Sequence, residues 1–250
     1  MATANTIDEV IDALTSIIEQ AKANRSRLGY FPALYRRVTR AVKNGIANGR
    51  FEDGPRMERL DVVFANRYLS AYYDWHNQRP VSQCWNLAFS AAARTDRIIT
   101  QHLLLGINAH INLDLAVAAA EVAPGPAIHA LAADFRQINK LLYEQVGDVQ
   151  DAIASVAPLM WLLDIAGGQA EERMVEFSLL KARDAAWMQS LVLAEMTGGE
   201  QREAIRVVDA ATSLIGAGVL DPPGWRLRLA LQAIVRTENA DVANVIQALA

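Results

Sequence analysis

Two side chains suited to metal binding and proton transfer lie four residues apart in the apolar stretch HLLLGINAHINLDL, residues 102 to 115. His110 and Asp114 are one helical turn apart, so both can reach a single metal ion, as paired ligands at this spacing commonly do. The same two groups can instead hydrogen-bond each other and the neighbouring helices without any metal. The spacing therefore predicts a polar site in a helical core and leaves both uses open.

Two further residues continue this stripe towards the N-terminus at four-residue steps. His102 lies about 12 Å from His110 along a helix axis, so we assign it to substrate binding at a second position or to the core. Gly106 costs about 1 kcal/mol of helix propensity relative to alanine, which indicates that another chain segment or a ligand approaches closely there.

A carboxylate also lies on the apolar face of the helix predicted for residues 56 to 76. Asp61 falls near the middle of that face, whose other members are Leu60, Phe64, Tyr68, Ala71, Tyr72 and Trp75. An unpaired buried charge is very costly, so Asp61 needs a metal ion, an arginine or a histidine as its partner. An ion pair with Arg56 or Arg67 is the alternative to a functional role.

Arg183 lies among small and apolar residues in the stretch LLKARDAAW, residues 179 to 187. An arginine in such surroundings either neutralises buried aspartates or binds an anionic group of a ligand. We predict a catalytic site at which Asp61, His110, Asp114 and Arg183 converge. In this hypothesis the first three hold a divalent ion such as zinc, iron or manganese, and the substrate contacts are Tyr68, Tyr72, Trp85, His102 and Trp187.

The elements that must position these residues are helices. Apolar residues recur at three- and four-residue spacing, and no segment shows the sustained alternation of a strand. Glycine and proline bound roughly nine helices. Residues 96 to 121 are apolar on every side and predict a central helix, and the last segment, 224 to 249, is expected to break near 237 to 241. We predict one all-α domain spanning residues 1 to 250.

Composition excludes several classes of protein. With 24 basic and 28 acidic side chains, the net charge of −4 offers no general positive field for nucleic acid. A single cysteine excludes an internal disulfide and fits a reducing cytoplasm. The N-terminus lacks the pattern of a secretory signal, and polar residues interrupt the longest apolar run, so we expect no membrane span. The oligomeric state stays open.

The segments YFPALYRRVT, FEDGPRMERLDVVFANRYL, HLLLGINAHINLDL and KARDAAW together resemble a family of bacterial all-helical proteins of unknown function, over roughly residues 25 to 195. More remotely, LGINAHINLD resembles the LGxxxHxxxD element of zinc-dependent phospholipase C, an all-α family. That resemblance implies His110 and Asp114 as zinc ligands. With 4 histidines, the chain could hold one or two ions rather than a three-zinc cluster.

Three functions follow from these patterns. The first is a metal-dependent enzyme, most simply a hydrolase, in which Arg183 stabilises developing negative charge. The second is a metal-free enzyme, a cyclase, isomerase or lyase, that moves protons on a largely apolar small molecule. The third is a noncatalytic helical module that binds a ligand or a partner, and it predicts no accessible cavity beside His110.

Overall fold

The structure, a computed structural model, describes residues 3 to 157, residue 159 and residues 179 to 250. The described residues form no β-strand and pack as an all-α domain. Its helices are α1 (Ile7–Ala23), α2 (Tyr30–Ala47), α3 (Gly54–His76), α4 (Gln83–Ala91), α5 (Ile99–Ala109), α6 (Ala116–Val122), α7 (Ala132–Val156), α8 (Leu179–Glu195), α9 (Gly198–Leu220), α10 (Trp225–Val235) and α11 (Val242–Leu249). Two 3₁₀ segments, Arg27–Gly29 and Gly125–Leu131, precede α2 and α7.

The central helix is continuous from Ile99 to Val122, because a π-helical turn, His110–Leu115, joins α5 to α6. Helices α2, α3, α4, α8 and α9 pack around it. By length and composition this helix could span a membrane, but 89% of its most apolar window is buried against the rest of the protein. Burial on all sides is typical of a core helix and explains why its apolar residues point in every direction.

Helix starts are fixed by side chains that accept hydrogen bonds from free backbone N–H groups. Thr6 caps α1 through its hydroxyl, as its position before an amphipathic segment predicts. Distant carboxylates serve two other helices: Asp209 of α9 accepts from the first N–H groups of α4, and Glu238 accepts from the first N–H of α5. These contacts anchor the C-terminal third of the chain to the helices that build the site.

The described residues contain eleven α-helices rather than roughly nine. The π turn divides the central helix into two labelled helices, and the last segment is divided between Val235 and Val242, at the break that the sequence predicts. In the opposite direction, α7 runs without a break through Gly147, where the sequence predicts the end of one helix and the start of the next, and none of these differences changes the fold class.

Candidate functional site

Asp114 is held by three donors from three different elements. Its Oδ1 atom accepts from Arg67 Nε of α3 at 3.0 Å, and its Oδ2 atom accepts from the indole N–H of Trp85 on α4 at 2.9 Å. The imidazole Nδ1 of His110 lies 3.3 Å from the same Oδ2 atom. With 2% of its surface exposed, this carboxylate has no freedom to turn. Asp114 therefore fixes the orientation of the His110 ring.

His110 and Asp114 meet within the π turn, whose hydrogen bonds run from residue i to residue i+5 instead of residue i+4. Residues four apart are already neighbours on one face of an α-helix, and this contact is kept in the π turn: Nδ1 of His110 lies 3.3 Å from Oδ2 of Asp114. Single π turns occur frequently at functional sites, and every residue of this one is buried.

His110 lies in a cage of aromatic rings. The Phe64 ring stacks on its imidazole with centroids 3.6 Å apart, and the Tyr35 ring meets it edge-on at 4.5 Å. Three other rings lie within 6.3 Å: Phe31, Trp85 and Tyr68. Only 3% of His110 is exposed, and its Nε2 atom has no hydrogen-bond partner among the described residues.

Burial lowers the pKa of His110, since the cage cannot solvate an imidazolium. The hydrogen bond and charge of Asp114 oppose this shift, and the positive charges of Arg67 and Arg183 add to it. His110 is therefore neutral at pH 7. Because its Nδ1 faces a carboxylate, the ring carries its proton there and leaves a lone pair on Nε2.

Asp61 lies on α3 one turn before Phe64 and is 7% exposed. Its Oδ2 atom has no partner in the described part of the chain, and burial, followed by the charge of Glu58, raises its pKa to about 7. The two arginines considered as partners pair elsewhere, Arg56 with Asp134 and Arg67 with Asp114. The ion-pair alternative for Asp61 is therefore wrong within the described residues.

Tyr35 connects Asp61 with the His110 pair. Its pKa is raised first by burial and then by the negative charges of Asp61 and Asp114. Both carboxylates therefore lie within electrostatic reach of one phenol, whose ring also touches His110. Tyr35 is thus a common neighbour of Asp61 and of the His110–Asp114 pair.

Arg183 projects from α8, which packs against the π turn and α6. Its Nε donates to the side-chain oxygen of Asn139, and its guanidinium carbon lies 4.8 Å above the centre of the Phe135 ring. The side chain is 2% exposed, and burial lowers its pKa to about 10. Since its charge reaches His110, Arg183 belongs to the surroundings of the site.

The described residues include no group of three or more His, Cys, Asp or Glu side chains placed to hold a metal ion. Both oxygens of Asp114 already accept hydrogen bonds, so this carboxylate orients His110 rather than offering a free ligand. A metal held by His110, Asp114 and Asp61 consequently stays a prediction without support from the geometry.

A model of a family of unknown function, DUF5995, matches residues 7–222. The chain belongs to this family. No curated protein and no solved structure matches the chain. The resemblance to an uncharacterised family is thereby confirmed, and a similarity to zinc-dependent phospholipase C is not shown. Membership in DUF5995 brings no known activity.

The predicted substrate contacts of this DUF5995 chain lie at different distances from His110. Tyr68 and Trp85 belong to the cage, and Trp187 packs against Phe135 at 4.9 Å, beside Arg183. Tyr72 lies one layer further out, against Tyr68 and Phe89. The sequence analysis did not predict that Phe31 and Tyr35 contact His110 or that Arg67 pairs with Asp114. The pattern of a helix face does not show which other helix packs against it.

His102 faces a separate small cavity. About 20 Å³ in volume, enough for one water molecule, it is also lined by Phe31, Tyr68 and Trp85. Burial lowers the pKa of His102 to about 4, so its ring is neutral. The cavity and the His110 cage share these three rings as a common wall, which agrees with a second position for His102.

Gly106 gives the Phe31 ring its place in the cage. A Cβ atom built on Gly106 would lie 2.6 to 2.9 Å from three atoms of Phe31, closer than carbon atoms can approach. The Gly106→Ala variant is therefore expected to lose about 1–3 kcal/mol of unfolding free energy, despite the better helix propensity of alanine. Urea denaturation measures this loss.

The matched control is Gly218→Ala in α9, where the new methyl group meets no atom within 4 Å. Propensity alone acts there, so a gain of about 0.5–1 kcal/mol is expected. If the two substitutions change the unfolding free energy equally, the position of the Phe31 ring does not depend on the missing side chain of Gly106.

Proposed function

We propose that this protein is an enzyme that transfers protons on a small, largely apolar molecule without a metal, with His110 as the base. The observation that carries this proposal is the state of one ring: Nδ1 is held by Asp114, and Nε2 has no partner inside an aromatic cage. A buried acceptor without a partner is costly, so such atoms call for a functional explanation. A substrate hydrogen at Nε2 would supply one.

The surrounding groups suit this chemistry. When His110 takes a proton, the Asp114 carboxylate stabilises the imidazolium, as an orienting carboxylate does in other His-based sites. Asp61, whose pKa of about 7 leaves it partly protonated at neutral pH, supplies the acid that returns a proton elsewhere on the substrate. Paired groups of this kind catalyse isomerisation, elimination and cyclisation, and the aromatic walls favour an apolar substrate.

A metal-dependent hydrolase is the second candidate. A metal-binding histidine commonly donates its other ring N–H to a carboxylate, as Nδ1 of His110 does to Asp114, so Nε2 of His110 could bind zinc, iron or manganese. Asp61 is the remaining carboxylate with an unpartnered oxygen in the described site. Elemental analysis of the purified protein separates the candidates, because only the hydrolase requires stoichiometric metal.

Exchange of substrate hydrogen with solvent tests proton transfer without knowledge of the product. The protein is incubated in D₂O with a panel of small ketones, enones and hydroxy acids that carry apolar groups, and deuterium on carbon is detected by mass spectrometry. We expect at least one compound to exchange. In the His110→Phe variant, which keeps an aromatic ring against Phe64, the rate should fall by about 10²–10⁴-fold.

The matched control is His129→Ala, which removes an exposed histidine of the 3₁₀ segment before α7 and should leave the rate unchanged. Equal rates in the wild type and the His110→Phe variant would reject His110 as the base. No exchange with any compound in the panel would favour the noncatalytic module, in which the polar groups only stabilise the core.

A further inference from the structure

Arg183 is a buried cation whose charge is not balanced by the residues that the structure describes around it. Among the described residues it forms no ion pair with a carboxylate, and its Nη2 atom has no hydrogen-bond partner. Asp184, whose negative charge acts on it, is exposed. Within the described part of the chain, its side chain contacts the neutral side chains of Asn139 and Phe135.

These neutral contacts offset only part of the cost of burial. A hydrogen bond to an amide and a cation–π contact together stabilise the guanidinium by less than the burial of an unpaired ion destabilises it. A counterion close to Nη2 would remove this deficit. The fork of an arginine fits the two oxygens of a carboxylate or a phosphate, and such hydrogen bonds are among the strongest in proteins.

The charges of the other residues at the site also favour an anionic ligand at Arg183. The negative charge of Asp114 is matched by Arg67, and a raised pKa leaves Asp61 partly neutral. His110 is neutral as well. Arg183 is thus the uncompensated charge of the described site, and helix α8 holds it against the π turn that carries His110.

We propose that the substrate carries an anionic oxygen group, a carboxylate or a phosphate, on a largely apolar body, and that Arg183 binds this group. This inference rests on the proposed function for the identity of the site, since the apolar body would lie in the aromatic cage beside His110. Arg183 is then a substrate-binding residue in addition to its predicted role in stabilising negative charge.

Three probes that share one ring test the proposal: benzoate, phenyl phosphate and the neutral benzamide. Binding is measured by the increase in melting temperature and by calorimetric titration. We expect saturable binding of benzoate, phenyl phosphate or both, at least tenfold tighter than benzamide, because a charge-assisted hydrogen bond is involved. Which of the two anions binds more tightly distinguishes a carboxylate from a phosphate ligand.

The Arg183→Gln variant should lose at least tenfold in affinity for the anions and little for benzamide. The control is Arg206→Gln, at a position whose side chain is 76% exposed and paired with Glu203, and it should bind like the wild type. If benzoate and phenyl phosphate bind no better than benzamide to the wild type, the proposal is overturned, whether or not the Arg183→Gln variant folds.

Retained anion affinity in a folded Arg183→Gln variant would overturn it too. Failure here is distinguishable from failure of the proposed function. If deuterium exchange depends on His110 but the protein shows no preference for anions, the anionic substrate group is rejected and proton transfer is retained. If anion binding requires Arg183 but no compound exchanges deuterium, the anion-binding site is retained and the proposed proton transfer is rejected.

Discussion

The Asp114→Asn variant is expected to lose about 3 kcal/mol of unfolding free energy. Removing one member of a buried ion pair typically costs about 3–5 kcal/mol, and the lower end applies because 28% of the Arg67 side chain stays exposed. Three donors converge on this carboxylate, and one amide oxygen cannot satisfy them all. Urea denaturation monitored by circular dichroism measures the loss as a lower midpoint with an unchanged slope.

The control is Asp96→Asn. Asp96 also accepts from two arginines, Arg94 and Arg97, but its side chain is 58% exposed. Exposed ion pairs contribute about 0–1 kcal/mol, so the loss should stay within that range. A loss at Asp114 no larger than the loss at Asp96 would mean that the Arg67–Asp114–His110 arrangement does not hold the core together.

Asp61 should make the protein less stable as the pH rises from about 4 to about 7. Below its ordinary pKa of 3.8, Asp61 is protonated in both the folded and unfolded states and costs nothing. As the pH rises, the unfolded state releases its proton while the folded state retains it up to a pKa of about 7. The penalty is complete above pH 7 and is on the order of 4 kcal/mol.

The Asp61→Asn variant lacks this titration. The Asp61→Asn variant should therefore gain unfolding free energy relative to the wild type as the pH rises from about 4 to about 7. Burial also raises the pKa of Glu238 to about 7, so this comparison, rather than the wild-type profile alone, isolates Asp61. The Asp12→Asn variant, at an exposed position, controls for the loss of one carboxylate. Parallel profiles for the wild type and the Asp61→Asn variant would show that Asp61 ionises freely.

Relationships within one helix could be predicted from the sequence. Helical periodicity placed His110 and Asp114 on one stripe, identified the central helix and located the break before α11, because all three depend on neighbours three to eight residues away. The π turn could not be predicted in this way. It adds a residue to one turn in response to packing around it, and local residue preferences carry no clear sign of it.

Relationships between helices were predicted less well. Arg67 was considered as a partner for Asp61 on its own helix, yet it extends to Asp114 on the π turn. Trp85 was predicted as a substrate contact, and its indole N–H is a hydrogen-bond donor to that carboxylate. The partners of Arg67 and Trp85 depend on which helices pack together. A periodic pattern predicts which face of a helix is buried, but it does not predict which helix covers that face.

The protonation state of the His110 ring decides whether its Nε2 atom can act as a base. Nitrogen NMR of the ¹⁵N-labelled imidazole, assigned by comparison with the His110→Phe variant, identifies which ring nitrogen carries the proton. We predict a neutral ring at pH 7, protonated at Nδ1 and with a free lone pair on Nε2, that gains a second proton only below the ordinary histidine pKa of 6.5. An imidazolium at pH 7, or a neutral ring protonated at Nε2, would contradict this prediction.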